Sequence, residues 1–273
     1  MKTLEGSPLG KRTDYPERYD PALLFPIERS SSREALGLSS VLPFRGVDVW
    51  TAYELTWLDA GGKPEAAVAS IHVPAASPRI VESKSLKLYL GSFAQESVAR
   101  ASELARRIES DLGRACGACV AATLTPVTRI GAPRLASLPG ESLDELVIAT
   151  DAYRPEPAFL VAGGSAVDET LRSALFRSRC PVTGQPDHGD VMVRYRGARI
   201  DRAGLLRYLI SYRQHAAFHE SCIEQIFVDI LRRCAPRALS VYGRFLRRGG
   251  IDINPFRTNF EAGPPDEVRT ARQ

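Results

Sequence analysis

A thiol, a carboxyl group and two guanidinium groups fall within one short run of this chain, Arg177-Ser178-Arg179-Cys180-Pro181-Val182-Thr183-Gly184-Gln185-Pro186-Asp187. Two prolines and a glycine between Cys180 and Asp187 keep the backbone out of regular helix or strand, so the run is expected to double back and bring the thiol and the carboxyl group to the same space. The thiolate is the form that attacks electrophiles, and nearby positive charge raises its fraction, so Arg177 and Arg179 read as activators of Cys180. The result is a candidate nucleophile with an acid beside it. A lone cysteine is also a common small buried hydrophobe, and Asp187 suits a turn, so the local run leaves both readings open.

A second cluster lies about forty residues on, Ser211-Tyr212-Arg213-Gln214-His215-Ala216-Ala217-Phe218-His219-Glu220-Ser221-Cys222-Ile223-Glu224, and His188, His215 and His219 are three of the four histidines in the chain. His215 and His219 would share a face if both stood on one helix, as a metal-binding pair does. No third ligand follows at a recognised spacing, and Glu220 adjoins the second histidine instead of lying between the two, so no metal is assigned. A His219-Glu220 pair at a helix junction can instead offer a carboxylate to the N–H edge of a ligand, with the imidazole available for proton transfer. An exposed helix start is the plain alternative.

A third cluster is Val81-Glu82-Ser83-Lys84-Ser85-Leu86-Lys87-Leu88-Tyr89-Leu90, and it contains an internal echo. Ser85 to Phe93 lines up with Gly204 to Tyr212, so that Tyr-Leu-x-Ser-aromatic recurs 119 residues later. In that register Glu82 matches Asp201 while Lys84 matches Ala203. The halves read as duplicated folds that have divided the labour.

The elements that must position these residues follow from periodicity. Alternation from Val47 to Leu58 and from Ala66 to Val73 predicts two paired strands joined by Asp59-Ala60-Gly61-Gly62. Helical spacing predicts helices over Ser85–Phe93 and Glu96–Leu112, and a strand near Cys119–Val127 closes the first half. The second half repeats the order, with a strand before Cys180, another at Val191–Arg196, helices at Leu205–Ala217 and Ser221–Cys234, and strands around Leu239–Leu246 and Ile251. That order, used twice, implies α+β modules with helices on one face of an antiparallel sheet. Residues 1–45, rich in Pro, Ser and Arg, read as an extended lead-in.

Composition excludes several classes. The 44% apolar content is ordinary for a globular core, and no apolar run approaches the roughly 18 to 20 residues that span a bilayer. Met1 to Lys11 lacks the apolar stretch of a signal peptide, so a cytoplasmic location is expected. Five scattered cysteines fit a reducing compartment better than a disulfide framework. Cys116-Gly117-Ala118-Cys119 has no second CxxC to complete a zinc site. The net charge of +4 is modest, and Arg244, Arg247 and Arg248 suit a phosphate-bearing ligand better than a nucleic-acid track. Neither a GxGxxG nor a Walker loop is present.

Taken together and in order, Glu82-Ser83-Lys84-Ser85-Leu86-Lys87, Cys180-Pro181-Val182-Thr183 with Gln185-Pro186-Asp187, Phe218-His219-Glu220, and Arg247-Arg248-Gly249-Gly250 followed by Asp252-Ile253-Asn254-Pro255 give the chain its likeness to a known family. It resembles the NADPH-dependent 7-cyano-7-deazaguanine (preQ0) reductases of queuosine biosynthesis, the QueF family, in their long two-module form. The resemblance implies tandem tunnel-fold (T-fold) modules: an N-terminal extension over 1–45, a first module over 46–130, a connector over 131–170 and a second module over 171–273. It implies that Cys180 attacks the nitrile carbon to form a covalent thioimide while Asp187 protonates the nitrile nitrogen, and that two NADPH then carry the nitrile to the amine. Val81, Glu82, Ser83, His219 and Glu220 are implied to line the substrate pocket, and Ser83, Lys84, Arg248 and Gly249 to hold NADPH, with no metal. A small deazapurine as the partner and a homodimer are implied as well, with no direct nucleic acid and no membrane. Beside this stand a Cys-dependent nitrile or amide hydrolase using His219 as base, a zinc cyclohydrolase of the same fold class, and a non-catalytic purine or pterin binding module.

Overall fold

The computed structural model describes residues 15–131, 135–265 and 269–273, so Met1 to Lys11 and part of the expected connector lie outside the described residues. Those described fall into two compact units, one of 15–35, 48–131 and 247–253, the other of 36–47, 135–246 and 254–273 apart from 266–268. Among the described residues no helix is long and apolar enough to cross a membrane.

In the first unit the expected lead-in is not simply extended. It forms a 3₁₀ turn at Pro21–Leu23, strand β1 (Pro26–Glu28) and helix α1 (Ser30–Ala35). Strands β2 (Arg45–Leu58) and β3 (Pro64–Pro74) follow, joined by a turn in which Asp59 Oδ1 accepts from the N–H groups of Gly61 and Lys63. In β3 the period-2 pattern places Ala67, Ala69, Ile71 and Val73 in the core. Next come β4 (Arg79–Val81), paired antiparallel with β1, then α2 (Ser83–Gly91), α3 (Ala101–Cys116) and β5 (Ala121–Pro126). Strand order is β5-β3-β2. Helix α3 buries Leu104, Ile108 and Leu112 at i, i+4 spacing, each worth about 1.5–3 kcal/mol. It starts later than the sequence predicts because the backbone ahead of it is committed elsewhere: the Leu58 N–H donates to the Glu96 carbonyl at 2.9 Å and the Val98 N–H to the Leu58 carbonyl at 2.8 Å.

The second unit holds β6 (Glu141–Ser142), β7 (Ala162–Arg179), β8 (Pro186–Ile200), α4 (Arg202–Ser211), α5 (His219–Cys234), β9 (Ala238–Phe245) and β10 (Ile251–Thr258), although residues 251–253 of β10 belong with the first unit. Strand order is β10-β9-β8-β7-β6, antiparallel except for the short β6·β7 pairing. Two expectations need correction. Strand β7 begins at Ala162, within the segment read as a connector, because Gly163, Gly164, Ser165 and Ala166 are exposed and carry no apolar alternation to read. The helix expected to run to Ala217 ends at Ser211 and is followed by a single 3₁₀ turn, Tyr212–Gln214.

Several hydrogen bonds recur at matching positions of the echo in the sequence. Glu82 caps α2 by accepting from Lys84 and Ser85 N–H groups, and Asp201 caps α4 by accepting from Gly204. Ser92 Oγ donates to the Tyr89 carbonyl at 2.6 Å, as Ser211 Oγ does to Tyr208 at 2.6 Å. The Tyr89 hydroxyl donates to Asp111 and the Tyr208 hydroxyl to Asp229, each at 2.7 Å. Helix α3 closes on Gly117 at φ +69°, and α5 closes on Ala235 at φ +47°. A Cβ in the left-handed region is strained, and Ala235 is exposed, so Ala235→Gly is expected to stabilise the protein by about 0.5–1 kcal/mol. The urea midpoint checks this; an unchanged or lower midpoint would count against the strain.

Candidate active site

The β7–β8 hairpin carries Cys180 and Asp187 in the second unit. Ser178 pairs with Asp187 and Arg179 with Pro186. Beyond the ladder the Cys180 N–H donates to the Gln185 carbonyl at 2.9 Å, and the Gly184 N–H donates back to the Cys180 carbonyl at 3.0 Å. Gly184 takes φ +70°, so the turn needs a residue without a Cβ there. Strand alternation then sends Ser178, Cys180 and Asp187 to one face, and all three are buried, Cys180 at 5% and Asp187 at 2% exposure. Strand register thus gives these three residues a common face.

The same alternation corrects the reading of the arginines. Arg177 and Arg179 point from the opposite face, where Arg177 Nη1 donates to the Arg213 carbonyl at 3.3 Å. Burial, followed by repulsion from Arg213 and Arg179, lowers the Arg177 pKa. These cations gather with one another on that face.

Helix α5 supplies the rest. The Arg179 N–H donates to the His215 carbonyl at 2.8 Å and the Ala217 N–H donates to the Arg179 carbonyl at 3.1 Å, which fixes the start of α5 beside Cys180. His219 and Glu220 are its first two residues, where a carboxylate is favoured by the helix dipole. His219 Nε2 lies 3.4 Å from Asp187 Oδ2, and its ring stacks on Phe245 with centroids 3.9 Å apart and planes within 6°. Glu220 is buried. Cys222, one turn further in, has its thiol pushed up to about 12 by burial, with Asp187 and Glu220 adding to the rise and the Ser178 hydroxyl opposing it. Burial also raises Cys234. Both remain neutral thiols.

His215 stands in the loop before α5, so it does not share a helix face with His219. Among the described residues no group of three or more His, Cys, Asp or Glu side chains is placed to hold a metal ion.

In the first unit Val81 ends β4, and Glu82 follows as a buried cap whose two oxygens receive the Lys84 N–H at 2.7 Å and the Ser85 N–H at 2.9 Å. The Ser83 hydroxyl also donates to Glu82, at 3.3 Å. The Arg248 N–H and C=O both bond Ile251, at 2.8 and 3.1 Å, across Gly249 and Gly250 at φ +60° and +84°, the backbone of a two-residue hairpin turn with positive φ. A Cβ at Gly249 would come 3.3 Å from Lys87 Nζ. Arg247 lies over the Tyr53 ring at 4.6 Å. Glycine turn and cations together form a cradle suited to phosphate groups, so the residues present fit a dinucleotide phosphate. The sequence did not single out Phe245, because an aromatic ending β9 reads as ordinary core, and Lys87 stood in a quoted motif without a role of its own.

On this α+β scaffold one hairpin carries both a buried thiol and a buried carboxyl group. The family described as "Nitrile reductase, 7-cyano-7-deazaguanine-reductase N-term" matches residues 15–124, and that described as "QueF-like protein" matches 186–263. An NADPH-dependent 7-cyano-7-deazaguanine reductase of Bordetella pertussis is 54% identical over 99% of this chain and 100% of its own. One of Burkholderia ambifaria is 55% identical over 98% and 99%. A crystal structure of the archaeosine synthase QueF-Like in the apo form overlaps 38% of this chain and 99% of its own at TM-score 0.31 and 20% identity. The chain belongs to the NADPH-dependent 7-cyano-7-deazaguanine reductase family.

Burial lowers the pKa of half-buried His215 below its ordinary 6.5. The unfolded chain then binds this proton more readily, so its contribution to stability is full above about pH 6.5 and is lost as pH falls through the folded value. Melting temperature should therefore fall on acidification from about pH 7 to about pH 5. His215→Gln is expected to remove part of that slope; parallel curves for the two proteins would contradict it.

Proposed function

We propose that this chain reduces the nitrile of 7-cyano-7-deazaguanine to the aminomethyl group of 7-aminomethyl-7-deazaguanine, at the expense of two NADPH, through a covalent thioimide on Cys180. The observation that carries the chemistry is the single buried face holding Cys180 and Asp187, with His219 Nε2 3.4 Å from Asp187. The identity of substrate and cofactor rests on relatives of that name matching over the full length.

In this reading Cys180 gives up its S–H proton to the Asp187–His219 pair as Sγ bonds the nitrile carbon, one π pair moves to nitrogen, and Asp187 delivers one proton to that nitrogen. His219, against Asp187, is placed to replace that proton. Glu220 accepts hydrogen bonds from the ring's N–H donors, and Val81, Glu82 and Ser83 are assigned to the same substrate. Each Glu82 oxygen has lone-pair capacity beyond its capping bonds. NADPH supplies hydride; Ser83, Lys84, Arg248 and Gly249 are the residues assigned to hold it. Burial of the site keeps water from an activated carbon–nitrogen bond, which separates reduction from hydrolysis. Tandem tunnel-fold modules, a homodimer and a cytoplasmic location belong to the same proposal, and the matched hydrogen bonds around Tyr89 and Tyr208 support the first of these.

Cys180→Ala is expected to abolish both turnover and the mass increase seen when intact protein is incubated with the nitrile alone. An adduct surviving in that variant would refute the assignment. Asp187→Asn should retain nitrile binding and lose turnover by roughly 10²–10⁴-fold. Turnover at the wild-type rate would mean that the proton comes from another group.

A further inference from the structure

Phe245 is held with unusual completeness for a residue that touches no proposed ligand. Its ring lies flat on His219, with Phe176 edge-on at 5.8 Å. Two glycines make room for it: a Cβ at Gly243 would approach Phe245 Cε2 to 2.9 Å, and one at Gly189 would approach Cδ1 to 3.1 Å. Its backbone is gripped by side chains on both sides. The Phe245 N–H donates to Asn254 Oδ1 at 3.3 Å, and its carbonyl accepts from Gln273 Nε2 at 3.1 Å.

The Gln273 carboxamide has four hydrogen-bonding capacities, and all four are used. Nε2 donates to the Phe245 carbonyl and, at 2.7 Å, to Asn254 Oδ1; Oε1 accepts from Arg244 Nε at 2.6 Å and from the Thr270 N–H at 3.3 Å. Arg244, Asn254, Thr270 and Gln273 are all buried. A buried polar network satisfied in this way fixes one geometry, because any displacement leaves groups unpaired. The strand end it fixes pairs directly with β8: Gly189 is the partner of Phe245, and the Leu246 N–H donates to the His188 carbonyl at 2.9 Å, one residue from Asp187.

We propose that Gln273 is a positioning residue for His219: its carboxamide locks the Phe245 backbone, and the Phe245 ring sets the plane in which the imidazole presents Nε2 to Asp187. The catalytic consequence rests on the function proposed above; the positioning itself does not. His219 Nδ1, buried and without a hydrogen-bond partner among the described residues, leaves the ring's orientation to the stack and to Asp187.

The test is NMR of the full chain with histidine labelled by isotope, the His219 signal being assigned by its loss in His219→Ala. Stacking on Phe245 shifts the His219 ring protons upfield, and Gln273→Met, of similar size but without polar groups, is expected to shrink that shift. Gln273→Glu serves if the Met variant does not fold. Unchanged His219 signals in a folded variant would overturn the proposal. Turnover gives a second arm: Gln273→Met should lose roughly tenfold in the wild-type background and less than about twofold in a His219→Ala background. An equal loss in both would mark Gln273 as merely structural and overturn the proposal. Absence of nitrile reduction in the unmodified protein would instead remove the proposed function, with the NMR arm still deciding whether Gln273 positions His219.

Discussion

Two backbone hydrogen bonds on Arg179, one to the His215 carbonyl and one from the Ala217 N–H, decide what Cys180 can do. They weld the end of β7 to the segment that starts α5. The hairpin by itself places Cys180 and Asp187 on one face, and these bonds add the start of α5, with His219 and Glu220, beside it. Because these contacts are main-chain to main-chain, they demand nothing of the side chains and leave those free for chemistry. Arg179 contributes through its backbone, although in the linear sequence its charge looked like the useful feature.

The first unit shows that the frame is general. Leu58 makes the same pair of bonds, to Glu96 and from Val98, and the residue after it, Asp59, closes its turn as Cys180 does, through an N–H to Lys63 and a carbonyl accepting from Gly62. Asp59 spends its carboxylate on the turn, and the bonds from Lys63 and Gly61 hold its pKa below the usual carboxylate value. One hairpin carries a turn-stabilising aspartate at this position, and the other a thiol backed by Asp187. The glycine turn and cations at Lys84, Lys87 and Arg248 belong to the first unit, and Cys180 to the second.

Much of this was legible because it is local. Alternation located β2 and β3, and the echo of Tyr89 and Tyr208 marked two helices whose tyrosines, serines and acidic caps make equivalent bonds. Cys180 and Asp187 stood out through their turn residues. The rest depended on partners distant in sequence. The first half of β7 is polar and glycine-rich, and it is a strand because β8 pairs with it. The backbone of 96–98 and 215–217 is drawn from helix by bonds to Leu58 and Arg179. The facing of Arg177 followed from register, which neighbouring residues do not reveal. Phe245 and Gln273 had no signal at all, since a core aromatic and a tail glutamine are common and only their contact with His219 and with each other gives them meaning.

The measurement that bears most directly on the central claim, a buried thiol carrying a nitrile through to an amine, is the number of NADPH oxidised for each 7-cyano-7-deazaguanine consumed. A nitrile takes up four electrons on its way to a primary amine, and each NADPH delivers two. The account predicts two NADPH per nitrile, with the aminomethyl compound as product and no ammonia released. Consumption of the nitrile with no NADPH oxidised and ammonia appearing would contradict it and make Cys180 the nucleophile of a hydrolase.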